Sequence, residues 1–139
     1  MTADHPLNDK SEELQLEIDR ISERLGVRSM PVGLRTNDGL NVYIADDGTY
    51  HHAFYERGKL NSEQIGALDD VLYWYCSDIV TDLAARRVGD RAQRFLYQYQ
   101  VLSSLNPEWA KRQVRENAAK FRDHRPKDLA LLPDIGEPL

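Results

Sequence analysis

The chain is short of the residues that build most small-protein reaction centres. It has one cysteine, Cys76, in 139 residues. That excludes an internal disulfide framework and a four-cysteine zinc site. Its longest apolar run, VLYWYC (71–76), falls far below the ~20 residues needed to cross a bilayer. The eight glycines form no dinucleotide or phosphate-loop pattern. There is no His-Glu-x-x-His, no Cys-x-x-Cys and no nucleophile elbow. Basic charge is scarce too: 18 Lys/Arg against 23 Asp/Glu give a net charge of -5. General nucleic-acid binding needs a basic face, so this balance opposes it. The N-terminus, MTADHPLNDKSEEL, lacks the apolar centre of a signal peptide. These absences lead us to expect a soluble cytoplasmic protein with no cofactor and no metal.

What is present fits one globular domain over 1–139, with 1–8 and 127–139 as irregular tails. Leu7, Leu14, Ile18, Ile21 and Leu25 recur at helical spacing. Asp9 and Glu12 resemble a capping box and Gly26 a C-cap, which predicts a helix over 9–25. PVGLRT (31–36), LNVYIA (40–45) and TYHHAFYE (49–56) are separated by Asn37-Asp38-Gly39 and Asp46-Asp47-Gly48. Asp-Gly turns between such runs predict a three-stranded antiparallel meander. Asn61 and Gln64 form a second possible capping box before a long helix. On it Leu68, Leu72, Tyr75, Ile79 and Leu83 share a face, with Cys76 and Val80 beside it. Gly89-Asp90 breaks that helix. Phe95, Tyr99, Leu102 and Leu105 mark a third helix. Asn106-Pro107-Glu108 starts a fourth, running to about residue 123. The fold class is therefore α+β: a small β-meander of about three strands packed against about four α-helices, with a helix-rich C-terminal half.

The chemistry-bearing residues are thinly spread. His51 and His52 are adjacent on a strand and point to opposite faces. His52 shares its face with Tyr50, Phe54 and Glu56, and His51 with Ala53 and Tyr55. A small metal-dependent hydrolase would use His52 and Glu56, but no third group joins them, and a structural role is the better reading. Glu56-Arg57-Gly58 reads as a turn. Cys76, beside an apolar face, reads as an inert buried thiol.

The long helix is less routine. Asp70, Trp74 and Asp78 follow one another at spacings of four, with Asp82 next in line. Either other elements of the fold cover Trp74, or a partner does. Buried tryptophan and tyrosine anchors dominate interface energetics, and surrounding carboxylates select a basic partner. Charge is also uneven. Residues 1–82 carry a net -9, residues 83–128 a net +6 and the last eleven -2. The basic stretch, with Arg86, Arg87, Arg91, Arg94, Lys111, Arg112 and Arg115, reads first as a solvated helical face neutralising the acidic half. A nucleic-acid adaptor is the competing reading.

Four stretches in order resemble the immunity protein 63 family of bacterial polymorphic toxin systems. They are Glu56-Arg57-Gly58 after an aromatic strand; Leu72-Tyr73-Trp74 on a long helix; Arg91, Phe95 and Gln98; and Trp109 opening a helix that ends near His124 and Pro126. The resemblance spans about residues 49–126. It departs from the family pattern at Ala92, where a second consecutive arginine is expected. It implies a non-enzymatic cytoplasmic antitoxin that binds a cognate toxin encoded upstream and occludes its active cleft or substrate path; the acidic residues here suit a basic toxin. Surface chemistry, and not the resemblance, suggests the contact residues: Asp46 and Asp47 at a hairpin tip, Tyr55, and Asp70, Trp74, Asp78 and Asp82 on the long helix.

Overall fold

The first helix, α1 (Asp9–Leu25), forms where the apolar residues recur every three or four positions. Leu14, Ile18, Ile21 and Leu25 are all buried. The helix ends with paired bonds, Gly26 N–H to the Glu23 carbonyl (3.1 Å) and Val27 N–H to that of Ser22 (3.0 Å), the arrangement that closes a helix C-terminus around a glycine. The structure, a computed structural model, describes residues 9–35 and 38–139. The expected tail 1–8, with Leu7 of the apolar stripe, and the capping side chain of Asp9 lie outside the described residues.

One antiparallel sheet follows, with strands β1 (Gly39–Ile44), β2 (Tyr50–Glu56) and β3 (Lys59–Gly66) in the order β1-β2-β3. The expected three-stranded meander is present, with LNVYIA and TYHHAFYE as β1 and β2, but PVGLRT is not one of its strands. The described part of PVGLRT, residues 31–35, is irregular. Pro31 has no N–H to give. The Val32 N–H goes to Gln15 Oε1 (2.7 Å), and the Arg35 N–H to Asn41 Oδ1 (2.9 Å). The Gly33 N–H bonds to the main chain of β1, at the Val42 carbonyl (2.8 Å). Side chains thus take donors that a ladder would need.

The third strand is KLNSEQIG, which the spacing of Asn61 and Gln64 had assigned to a helix start. The turn before it explains the strand. Arg57 (φ 53°) and Gly58 (φ 76°) both have positive φ, and Glu56 pairs with Lys59 across them. Positive φ at both central residues is the two-residue hairpin geometry whose twist matches its strands. The chain therefore doubles back.

The long helix, α2 (Leu68–Arg87), starts correspondingly late. Asp69 and Asp70 sit in its first turn, Arg86 and Arg87 in its last, each sign matching the helix dipole. The Asp70 carboxylate reaches back to the Ala67 N–H (2.9 Å), the second half of a capping box. Val71, Leu72, Tyr73, Tyr75, Cys76, Val80, Leu83 and Ala84 are buried, so the helix is apolar on several sides and not along one stripe.

Contacts divide the chain into two compact units, Met1–Tyr75 and Cys76–Leu139. In the first, Tyr75 hydroxyl lies 2.7 Å from Ser22 Oγ, which itself donates to the Ile18 carbonyl (2.7 Å). Ser22's one hydrogen is used there, so Tyr75 is the donor. This buried bond ties α1 to the start of α2. In the second unit, α3 (Arg91–Leu105) is capped by Asp90, whose side chain accepts from the Gln93 N–H. Asn106 caps α4 (Pro107–His124), accepting from Glu108 and Trp109, with Pro107 at the first helical position. A 3₁₀ turn (Pro126–Leu131) follows. Leu102, Trp109, Ala110, Val114, Ala118 and Ile135 are buried. The tail beyond 126 is thus partly ordered against α4, with Arg115 Nε held by Glu137 (2.6 Å).

Candidate partner-binding surface

Strand β2 alternates as its sequence requires. His52 is buried, its ring 5.5 Å from that of Phe54 and 6.0 Å from that of Trp74. Trp74 is half-buried, so the sheet covers part of its ring. His51 takes the other face and stacks on Tyr43 of β1 (4.7 Å, 17°).

Around His51 runs a continuous polar chain. Thr49 Oγ1 lies 2.6 Å from Asp47 Oδ1 and 2.8 Å from His51 Nε2; His51 Nδ1 lies 3.1 Å from Glu63 Oε2, which also accepts from the Tyr43 hydroxyl (3.1 Å). The Thr49 N–H donates to Asp47 as well (3.0 Å). The one Thr49 hydroxyl hydrogen goes to Asp47, so the Thr49 oxygen accepts from His51 Nε2–H, and the ring's other nitrogen faces the Glu63 carboxylate. The hydrogen bonds from Thr49, side chain first and backbone second, hold the Asp47 carboxyl below the usual carboxylate range. Burial, and then the bond to Glu63, push the Tyr43 phenol up to about 12. The mechanical result is that the acidic turn is stitched to β2 and β3. Asp46 and Asp47 are exposed at its tip, while Tyr55, further along β2, is half-buried.

The remaining candidates differ in their surroundings. Asp70 is half-buried and engaged in capping α2. Asp78 and Asp82 are exposed, and Asp82 pairs with Arg86 at 2.9 Å. Asp70 and Trp74 belong to the first unit, Asp78 and Asp82 to the second.

The basic stretch proves to be locally satisfied. Arg87 donates to Tyr97 Oη (3.1 Å), Arg91 to Asp128 (2.9 Å) and Arg94 to the Val88 carbonyl; Lys111 lies 4.0 Å from Glu108, Arg112 pairs with Glu116 (3.2 Å) and Arg115 with Glu137. These partners lie within residues 88–137, while Arg86 pairs with Asp82 (2.9 Å), which belongs to the acidic stretch 1–82. Residues 1–75 hold seven Lys/Arg and fourteen Asp/Glu, a net -7. A face of arginines already engaged with carboxylates is poorly suited to gripping phosphates. Among the described residues, no group of three or more His, Cys, Asp or Glu is arranged to hold a metal ion, and no helix is long and apolar enough to cross a membrane. His52 lies among aromatic rings, whereas Glu56 is exposed at the turn.

Sequence reasoning missed β3. Leu60 and Ile65 are 50% and 54% exposed there, and Glu63 completes the His51 chain. The legible signal was Glu56 and Lys59, opposite charges flanking a two-residue Arg-Gly turn.

The chain matches the family model of Immunity protein 63 over residues 46–119, 74 of 139 positions, and belongs to that family. No curated protein and no solved structure matches it. The match takes in Glu56-Arg57-Gly58, Leu72-Tyr73-Trp74, Arg91, Phe95, Gln98 and Trp109, and leaves His124 and Pro126 outside. Five of these ten residues build the fold: Leu72, Tyr73, Gln98 and Trp109 are buried, and Phe95 packs edge-on to Phe121 (5.8 Å).

Proposed function

We propose that this chain is an antitoxin that binds a cognate toxin domain of a bacterial polymorphic toxin system and blocks it by occlusion, breaking no bond itself. The observation that carries this reading is membership of the immunity protein 63 family across β2, β3, α2, α3 and most of α4. The charge pattern supports it. An acidic unit of net -7 attracts a basic polypeptide and accelerates its capture. We assign Asp46, Asp47 and Tyr55 to the contact, with Trp74, Asp78 and Asp82 of α2 as further candidates. The neutralised complex would form in the cytoplasm of the toxin's producer, protecting it during competition with neighbours.

Co-expression tests the reading. Cells carrying the toxin domain encoded immediately upstream survive when this chain is co-expressed, and purified toxin domain and chain form a stoichiometric complex. Death of the co-expressing cells despite abundant folded chain refutes the reading. So does turnover of a small-molecule substrate by the chain alone.

A further inference from the structure

We infer that the toxin docks by adding an extended, cationic segment to the outward edge of β3 along Ser62–Gly66, laying apolar side chains over Leu60 and Ile65. This rests on the toxin-binding reading above and names the surface and the mode of contact.

The first observation is a bare backbone. Among the described residues β3 pairs with β2 alone, and every residue from Lys59 to Ile65 is exposed. Glu63 is exposed as a residue, yet its side chain, folded over His51, is only 22% exposed. Its exposure therefore lies in its main chain. A row of unpaired N–H and C=O groups on such an edge is a template for another strand.

The second is how the two ends of the strand differ. Edges are commonly guarded by lysines, prolines and bulges. Here Lys59 and the register shift at Phe54/Tyr55, which leaves Asn61 without a partner on β2, guard only the turn end. From Ser62 to Gly66 there is no lysine, arginine, proline or bulge.

The third is side-chain placement. Leu60 and Ile65 are five apart, so a regular strand would aim them at opposite faces. The bulge cancels that offset: Leu60 lies opposite Tyr55 and Ile65 opposite His51. Two of the five exposed large hydrophobic residues among those described are thus gathered on one face. Tyr55 on β2, opposite Leu60, and Tyr43 on β1, whose hydroxyl reaches Glu63 (3.1 Å), share that face, and both are half-buried.

Charge selects the occupant. The unit carries net -7, and Glu63 stands between Leu60 and Ile65 on that face. A second copy of the chain would bring like charge against like, whereas a cationic segment is drawn in.

The test uses the full chain and the domain encoded immediately upstream, with its activity silenced by mutation. Titration calorimetry compares the wild type, the double variant Leu60→Lys with Ile65→Lys, and Leu16→Lys. Leu16 is another exposed apolar residue, on α1. The double variant should bind at least ~100-fold more weakly and Leu16→Lys as well as wild type. Hydrogen exchange on the wild-type complex should show amides within 62–66 slowed. If the wild-type chain fails to bind, the toxin reading falls and this proposal with it. If the folded double variant binds like wild type, the toxin reading stands and this docking surface is wrong. Weakened binding with no slowing of exchange in 62–66 overturns the added strand. Should the double variant fail to fold, wild-type exchange decides alone.

Discussion

Arg91 is the sharpest place to test how the second unit holds together. Its guanidinium lies 2.9 Å from Asp128 Oδ2 and sits over two rings, 5.7 Å from the centre of Phe95 and 5.4 Å from that of Phe121. The Asp128 side chain is 11% exposed and that of Arg91 45%. A hydrogen bond to a charged group contributes ~1.5–3 kcal/mol, and each exposed cation–ring contact ~0.5–1 kcal/mol. The arginine is nearly half in water, so screening puts the pair at the low end of that range. Arg91→Met keeps the aliphatic packing and removes the charge; it should cost about 2 kcal/mol. In an Asp128→Asn background the same change should cost only about 1 kcal/mol, a coupling of about 1 kcal/mol. Urea unfolding followed by tryptophan fluorescence and circular dichroism measures all four proteins. The two probes must coincide and the slopes must match for the comparison to hold. The coupling should shrink in 1 M salt, where the Debye length falls to ~3 Å. A coupling within ~0.3 kcal/mol of zero, the ordinary error of additivity, would mean that the carboxylate is satisfied without the arginine and that the clamp is incidental.

Three further outcomes follow from local geometry. Arg57→Asn replaces a side chain that is strained at φ 53° with one that tolerates this region; it should stabilise the chain by about 1 kcal/mol, and a lower urea midpoint would show that the arginine makes compensating contacts. Gly66→Ala would put a methyl 2.7 Å from Asp70 Oδ2 and 2.9 Å from Asp70 Cβ, so it should cost about 1–3 kcal/mol by overpacking and loss of the α2 cap; wild-type stability would contradict that crowding. Tyr43 should ionise near 12 in the folded protein, against 10.0 for an ordinary tyrosine. The folded value is the raised one, so the stability Tyr43 contributes is intact below pH 10 and is lost as pH climbs towards 12. Absorbance titration should show Glu63→Gln moving that midpoint downwards, though not fully to 10 because burial is the larger cause; an unmoved midpoint would remove Glu63 from the account.

A further variant probes the acidic face. Asp46→Lys should slow association with the silenced toxin domain by about tenfold at low salt, with little change in dissociation. Stopped-flow mixing would show this, and a change confined to the off-rate would contradict electrostatic steering.

The helices were legible because their signals are local. The α1 stripe, the Asn106-Pro107 start and the Gly89-Asp90 break each fix a boundary without help from distant residues. The strands were not, for two physical reasons. PVGLRT looks extended and apolar, but Gln15 and Asn41 compete for its N–H groups, and both partners are distant or hidden in sequence. KLNSEQIG looks like a polar helix start because an exposed edge strand needs no apolar alternation; its identity comes from the Arg57-Gly58 turn and from β2. Losing β3 also hid most of the candidate surface. Asp46 and Asp47 could be read as a turn tip, whereas the Thr49–His51–Glu63 chain depends on strand register. Trp74 was flagged for its carboxylate neighbours, but its contact with His52 could not be read from spacing alone.

Arg86, Arg91, Arg94, Lys111, Arg112 and Arg115 find carboxylates or a carbonyl within residues 76–139. The acidic exterior of residues 1–75 could therefore be rewritten, even reversed in sign, without stranding any of these six cations. That separation lets substitutions accumulate on the surface of one unit while these ion pairs of the other stay intact.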